Sequence, residues 1–420
     1  MEKLSINGQE GPKAPKDQVI DVDSLQVLAF GSSSKIYTIP SKPYIVLKQG
    51  QSAESTIREF ELSRHVHTEL AKVSTCINRM FACFWMPELQ KPCSDHCNIA
   101  SSELELDERI CQGCHEVTAT DFTILPEIPK LGSIYWNIPA PESKIDDPTC
   151  QATRQTMALA FAVQRIPSIP IALRAHLIDI YIDSSGLENA EILATTEHTD
   201  CLAHIYSGMT SPRATSGSKK APLRTETSLF NFPLYLDRSI SAELDPVYVV
   251  VSMAVGMAAL HFAAEIDGAD CEFVLGGLNA GDEEQIERQQ AQQPSSAPTA
   301  VQRLSLLPNE TKIYILDFDK CSRIRMDDDG VKRAAAAIKS NGPHFPMPPS
   351  KLPNATDEWD EGMWLFFRVS YITAGTGILQ FRNLKNEETL KLPEKVIEEV
   401  ESLVEEERRL DLEDGVIFTS

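Results

Sequence analysis

The chain has no surplus of positive charge. Its 420 residues carry 39 Lys and Arg against 61 Asp and Glu, a formal net charge of −22. That balance argues against broad, non-specific adhesion to nucleic acid, which depends on cations meeting phosphate, but it leaves room for a local basic patch. The composition also lacks the bias of a disordered chain, since 42% of residues are hydrophobic and 24% charged, both ordinary globular values. The first residues, Met1 to Asp21, have neither the basic start nor the apolar run of a secretory leader, so a cytoplasmic chain is expected. Only Pro246–Ala264 stays nearly apolar for 19 residues, close to the length of a membrane span. Ser252, Gly256 and His261 interrupt it, Asp245 and Glu265 flank it, and no second span or basic flank accompanies it. The stretch therefore reads as a buried core helix, with no membrane contact. HExxH, Walker-type and GxSxG motifs are missing, and so are internal repeats.

What is present is a mixed pattern. Short apolar runs at 25–30, 35–39 and 44–48, broken by Gly31, Pro40 and Pro43, predict strands. Ile57, Phe60, Leu62, Val66 and Leu70 predict a helix over 54–70. Strands are expected at 123–128 and 157–166 and a helix at 171–182. The segment 207–228 reads as a mobile, basic loop. Runs at 273–275 and 313–316 read as a hairpin that carries a low-complexity insertion. Helices are expected over 246–265 and 359–373. The tail 387–414 holds 12 acidic and 4 basic residues, a net of −8. Val396, Ile397, Val400, Leu403 and Val404 form one helical stripe within it. The expected organisation is a leader (1–20), an N-lobe (21–166) with a cysteine-rich insert (76–115), a helical C-lobe (167–386) with a disordered insert (281–305), and an acidic tail (387–420).

The chemistry-bearing residues come in a telling order. The turn Phe30-Gly-Ser-Ser-Ser34 precedes Val46-Leu-Lys48, and a helix follows with Glu59. Much later His261 precedes Asp267, Asp270 and Glu272, and an apolar strand ends in Asp317-Phe-Asp319. In this order the chain resembles the protein-kinase-like fold, including small-molecule kinases of the aminoglycoside type. The resemblance implies an α+β, two-lobed protein with a small antiparallel-sheet N-lobe and a mainly helical C-lobe. It places Lys48 as the strand lysine, Glu59 as its helix partner, Asp267 as the catalytic-loop aspartate and Asp317 as the metal-binding one, acting with Mg-ATP. Three departures weigh against phosphoryl transfer. Glu272 stands where that family has an Asn metal ligand, the turn holds one glycine, and no Arg precedes Asp267 as in His-Arg-Asp.

The runs LHFAAEIDGADCEFVLGG (260–277), IYILDFDKC (313–321), FNFPLYLDR (230–238) and MALAFAVQRIPSIP (157–170) resemble a fungal family of kinase-like domains. Some of its members are arginine-containing cyclodipeptide synthases of secondary metabolism. That resemblance implies condensation of Arg-tRNA with a second aminoacyl-tRNA into a cyclic dipeptide, with no cofactor. Asp267, Asp270 and Glu272 would be its essential acidic motif, and Asp317, Asp319, Lys48 and Glu59 would bind substrate. Five carboxylates with few cations nearby would suit a guanidinium, whose planar fork of donors matches carboxylates. Local roles remain for some of these residues: Asp270 as a turn cap, Lys48 and Glu59 as a structural ion pair. A phosphotransferase and a catalytically silent interaction module are the alternatives for the whole chain.

Two further groups stand apart from the acidic motif. Cys93, Cys97, Cys111 and Cys114, with His96 and His115 as substitutes, have spacings that can close a structural zinc site. They can equally be ordinary apolar thiols in a reduced compartment. Arg213, Lys219, Lys220 and Arg224 form a compact basic loop, either a grip on tRNA phosphates or a solvated linker. No DNA partner is expected.

Overall fold

The computed structural model describes residues 24–30, 34–85, 124–138, 158–182, 189–193, 195–211, 228–242, 244–278, 311–342, 344–349 and 358–413. The protein is a mixed α/β chain, with a largely antiparallel sheet at its N-terminal end and helices dominating its C-terminal part. It divides into two compact units, one built from 1–56 and 132–163, the other from 57–131 and 164–420.

The first unit is a five-stranded sheet. Its strands are β1 (Gln26–Phe30), β2 (Ser34–Thr38), β3 (Ile45–Gly50), β4 (Leu131–Ile138) and β5 (Ala158–Gln164), in the order β1-β2-β3-β5-β4. β1–β2 and β2–β3 are antiparallel. Tyr37, Ile39, Leu47, Ala160 and Ala162 form its core, the inward half of a period-two alternation. β4 was not expected, because its sequence mixes Gly132, Ser133 and Asn137 with apolar residues. The exit from β3 is fixed by a reciprocal cap. Ser55 N donates to Ser52 Oγ at 3.0 Å, and Ser52 N donates to Ser55 Oγ at 3.1 Å, a serine version of the capping box.

Helix α1 (Ala53–Trp85) begins there and continues into the second unit. Leu62, Val66, Leu70, Val73, Ile77 and Phe81 keep helical spacing and are all buried. The stripe carries the helix beyond residue 70 into the segment expected to open the cysteine-rich insert. The expected strand at 123–128 is irregular where described. Glu127 makes a single bridge to Tyr314, because Pro126 and Pro129 have no N–H to extend a ladder.

The rest of the second unit is layered on helix α6. In chain order it contains α2 (Ile171–Tyr181), α3 (Asn189–Leu193), α4 (Thr196–Thr199), β6 (Ala203–Tyr206), β7 (Phe232–Tyr235), α5 (Leu236–Ser241) and α6 (Pro246–Phe262). These are followed by β8 (Glu272–Gly277), β9 (Thr311–Leu316), α7 (Asp328–Ser340), α8 (Glu358–Phe381), α9 (Glu387–Leu390) and α10 (Leu392–Glu413). α6 starts where Asp245 accepts from Val247 N and Tyr248 N and Pro246 takes the first helical position. Val249 to Phe262 are buried without exception, so the apolar stretch is a core helix. Among the described residues no helix is long and apolar enough to cross a membrane.

On one side of α6 lies a four-stranded sheet in the order β7-β6-β8-β9. β6 and β7 are parallel, and β6–β8 and β8–β9 are antiparallel. The β8–β9 pair is the expected hairpin. A Cβ at Gly256 of α6 would lie 2.9 Å from both Ile315 and Phe273, so the glycine sets how closely helix and sheet approach. α8 also packs on α6, and the acidic tail folds back through α10. Val396, Ile397, Val400 and Val404 are buried, so the apolar stripe docks on the protein's own body. Lys339–Glu407 (3.0 Å) and Trp364 Nε1 to Glu401 (3.3 Å) tie α10 to α7 and α8.

Candidate active site

Asp267 and Asp270 of the acidic motif occupy the loop between α6 and β8, Glu272 opens β8, and the Asp317–Asp319 motif occupies the loop after β9. Because β8 and β9 are hairpin partners, with Glu272 opposite Leu316, the two loops emerge side by side. Asp267 N donates to Ser322 O at 2.9 Å and Ile324 N to Glu265 O at 2.9 Å, which stitches one to the other.

Asp267 is buried at 7% exposure, and both its oxygens are engaged. Oδ1 accepts from Ser322 N (2.8 Å) and Ala269 N (3.3 Å), and Oδ2 accepts from Arg333 Nη2 (2.9 Å). Its backbone carbonyl is 3.0 Å from His261 Nε2, and His261 Nδ1 is 2.5 Å from the Tyr371 hydroxyl. The carbonyl only accepts, so Nε2 carries the ring proton and Nδ1 accepts from Tyr371. Burial holds His261 neutral, lowering its pKa from 6.5 to about 4.

Asp270 is exposed and has φ +59°, beside Gly268 at +66°. Asn341 on the next loop holds this turn. Its Oδ1 accepts from Asp270 N (3.1 Å), and its Nδ2 donates to Gly268 O (3.0 Å). Lys320 Nζ lies 2.5 Å from Asp270 Oδ2, and that bond raises the lysine pKa. Glu272 Oε2 is 3.4 Å from His204 Nδ1 on β6. Asp317 has φ +67°, and Asp319 Oδ1 is buried without a hydrogen-bond partner. Cys271 between them is buried. Its thiol is pushed up by burial and then by Glu272, Asp267, Asp270 and Asp317, so it is no thiolate nucleophile.

The five sequence-flagged carboxylates thus lie on two adjoining loops and the first residue of β8. Among the described residues no group of three or more His, Cys, Asp and Glu is arranged to hold a metal ion. The expectation of few nearby cations is also corrected. Arg333 and Lys320 each pair with one of the carboxylates, and Arg58 reaches in from α1 to the Cys321 carbonyl at 2.9 Å. Lys48 is buried on β3 of the first unit, and Glu59 is buried on α1 in the second. Cys93, Cys97, Cys111 and Cys114 lie outside the described residues, as do His96, His115, Arg213, Lys219, Lys220 and Arg224.

Sequence reasoning missed His204, Tyr206, Asn231, Tyr235, Lys320, Arg333, Asn341 and His344. Their elements are short or distant in sequence; Asn231, Tyr235 and Lys320 lay inside runs singled out for their resemblance, but no role was read for them. Against known families, residues 313–383 match the model of a family described as DUF3669, zinc finger protein. The match spans β9, the Asp317–Asp319 loop, α7 and α8. It contains one cysteine, the buried Cys321, and one histidine, His344, so that stretch alone cannot supply the four Cys and His ligands of a zinc finger. No curated protein matches the chain.

Proposed function

We propose that the chain is a tRNA-dependent cyclodipeptide synthase on a kinase-like scaffold, joining an arginyl group to a second aminoacyl group. The family resemblance of residues 157–170, 230–238, 260–277 and 313–321 suggests this chemistry. The observation that carries it is the division of labour within Asp267-x-x-Asp270-x-Glu272. Asp267 is inward and saturated with hydrogen bonds, so it positions the loop. Asp270 and Glu272, at 52% and 34% side-chain exposure, face solvent, where a cationic substrate can reach them.

The reaction needs no ATP, because each amino acid arrives as an activated ester. The α-amino nitrogen of one aminoacyl group attacks the ester carbonyl of the other. An amide bond forms, the ester C–O bond breaks, and the terminal ribose hydroxyl of that tRNA leaves with a proton. The second amine then attacks the remaining ester, closing the ring and freeing the second tRNA. A carboxylate of the cluster takes the proton that each ammonium must lose before attack. Arg58, Lys320, Arg323 and Arg325 are exposed on or beside the same two loops. They would meet acceptor-end phosphates, so the basic contact extends beyond the 213–224 loop.

Phosphoryl transfer is the weaker reading. The aspartate that would take the substrate proton is fully engaged, and a glutamate stands where a metal-binding Asn is needed. The direct test is expression in a heterologous host with mass spectrometry of the culture extract. An arginine-containing diketopiperazine is expected with wild type and a loss of at least tenfold with Glu272→Ala. No such product from soluble wild type, or undiminished product from Glu272→Ala, overturns the proposal.

A further inference from the structure

The segment 321–323, just past the Asp317–Asp319 motif, is held firmly from within. Ser322 N donates to Asp267 Oδ1 at 2.8 Å, and Asp267 N donates to Ser322 O at 2.9 Å. Arg333 Nη1 donates to Arg323 O at 2.9 Å. The outer edge of the segment runs along one face of α1. There Arg58 Nη2 donates to Cys321 O at 2.9 Å and to Ser322 Oγ at 3.3 Å, and Arg323 Nη1 lies 3.0 Å from His65 Nε2. Arg58 and His65 are two turns apart on that helix face, about 10 Å along its axis.

The contact at His65 leaves Arg323 without an acceptor. His65 Nε2 is also 2.7 Å from the Ala264 carbonyl. A carbonyl only accepts, so Nε2 carries the ring proton and the guanidinium meets another donor. At the other end of the row, Arg58 reaches a carbonyl and a hydroxyl, neither of which carries charge. Among the described residues neither guanidinium has a carboxylate partner, although both side chains are exposed. Their neighbours do: Arg325 pairs with Asp327, Arg333 with Asp267 and Arg382 with Glu265. Glu61, exposed on the same side of α1, makes no ion pair with either arginine.

Two uncompensated guanidiniums in a chain of net charge −22 are set to receive an anion from outside. A guanidinium presents a fork of donors that matches the oxygens of a phosphate, and the Ser322 hydroxyl between them still has its own proton to donate. The donors form a row and not a single pocket, which suits successive phosphates of a strand better than one small anion. We infer that Arg58, Ser322 and Arg323 form a phosphate track that seats the sugar–phosphate backbone of an RNA strand. That the strand is RNA rests on the tRNA-dependent reading above. Lys320 and Arg325, each with a carboxylate partner, would add less to it.

The test is fluorescence anisotropy of the full chain with a labelled RNA minihelix ending in CCA, beside calorimetric titration with inorganic phosphate. Wild type is compared with Arg58→Gln, Arg323→Gln and a charge control, Lys72→Gln, which removes a cation paired with Glu69 on the same helix. Thermal melts check that each variant is folded. Arg58→Gln and Arg323→Gln should each weaken minihelix binding at least fivefold and lower its salt dependence by about one in the log–log slope. Lys72→Gln should change it less than twofold, and inorganic phosphate should bind at least a hundredfold more weakly than the minihelix. Undiminished binding by both folded arginine variants, an equal loss in Lys72→Gln, phosphate binding as tight as the minihelix, or no minihelix binding by folded wild type overturns the track. Binding that depends on Arg58 and Arg323, without cyclic dipeptide from charged tRNAs, would keep the track and sink the synthase reading. Cyclic dipeptide made at the wild-type rate by the double variant would do the reverse.

Discussion

Glu265, Gly268, Asp270 and Asp317 all have positive φ, and all lie in the two loops that carry the acidic motif. For a residue with a side chain that conformation is costly, and Asn, Asp and Gly bear it most readily. Left-handed turns here re-aim successive side chains, so Asp267 points into the protein while Asp270 and Glu272 point out. The acidic motif could be picked out because its three acids fall within six residues of sequence. Its supports could not, since Asn341, Arg333 and His204 come from distant segments that only the fold unites. Asp270→Asn separates conformation from charge. Asn tolerates the left-handed turn, and the Lys320 pair is half exposed and worth under about 1 kcal/mol. The melting temperature should move by no more than about 2 °C while cyclic dipeptide falls at least tenfold. Undiminished product would reduce Asp270 to a turn residue.

Of the long helices, α1 and α10 were readable from their apolar periodicity and α6 from its unbroken apolar run. β6 and β7 were not, because a four-residue strand shows only two inward positions, too few to establish a period. α6 also carries a built-in pH dependence at its C-terminal end, where His261 joins Tyr371 of α8 to the Asp267 carbonyl. Its pKa is about 4 in the fold against 6.5 when unperturbed. Above pH 6.5 both folded and unfolded chains hold it neutral, and its full contribution is present. Between 6.5 and 4 the unfolded chain takes up a proton that the fold refuses, so stability falls as pH falls. Below 4 this group adds no further change. From pH 7 to 5 the loss approaches about 2 kcal/mol. Urea unfolding at the two pH values should show that loss in wild type and a difference smaller by about that amount in His261→Gln. An identical pH dependence in the variant would rule out His261 as its source.

At the scale of the molecule, the charge of −22 resolves into parts with different fates. Most of the tail's acidic residues lie on α10, which packs its apolar stripe against α7 and α8. The motif carboxylates are interleaved with Lys320 and Arg333, and exposed arginines adjoin them. An acidic chain thus presents exposed cations locally, as the proposed RNA-bound substrate would require. The most direct test uses purified protein, arginyl-tRNA carrying isotope-labelled arginine, and a mixture of other aminoacyl-tRNAs, without ATP. The expected result is a labelled arginine-containing diketopiperazine with release of uncharged tRNA, lost in Glu272→Ala. Absence of labelled product from folded protein, or product only when ATP is supplied, would contradict the synthase reading.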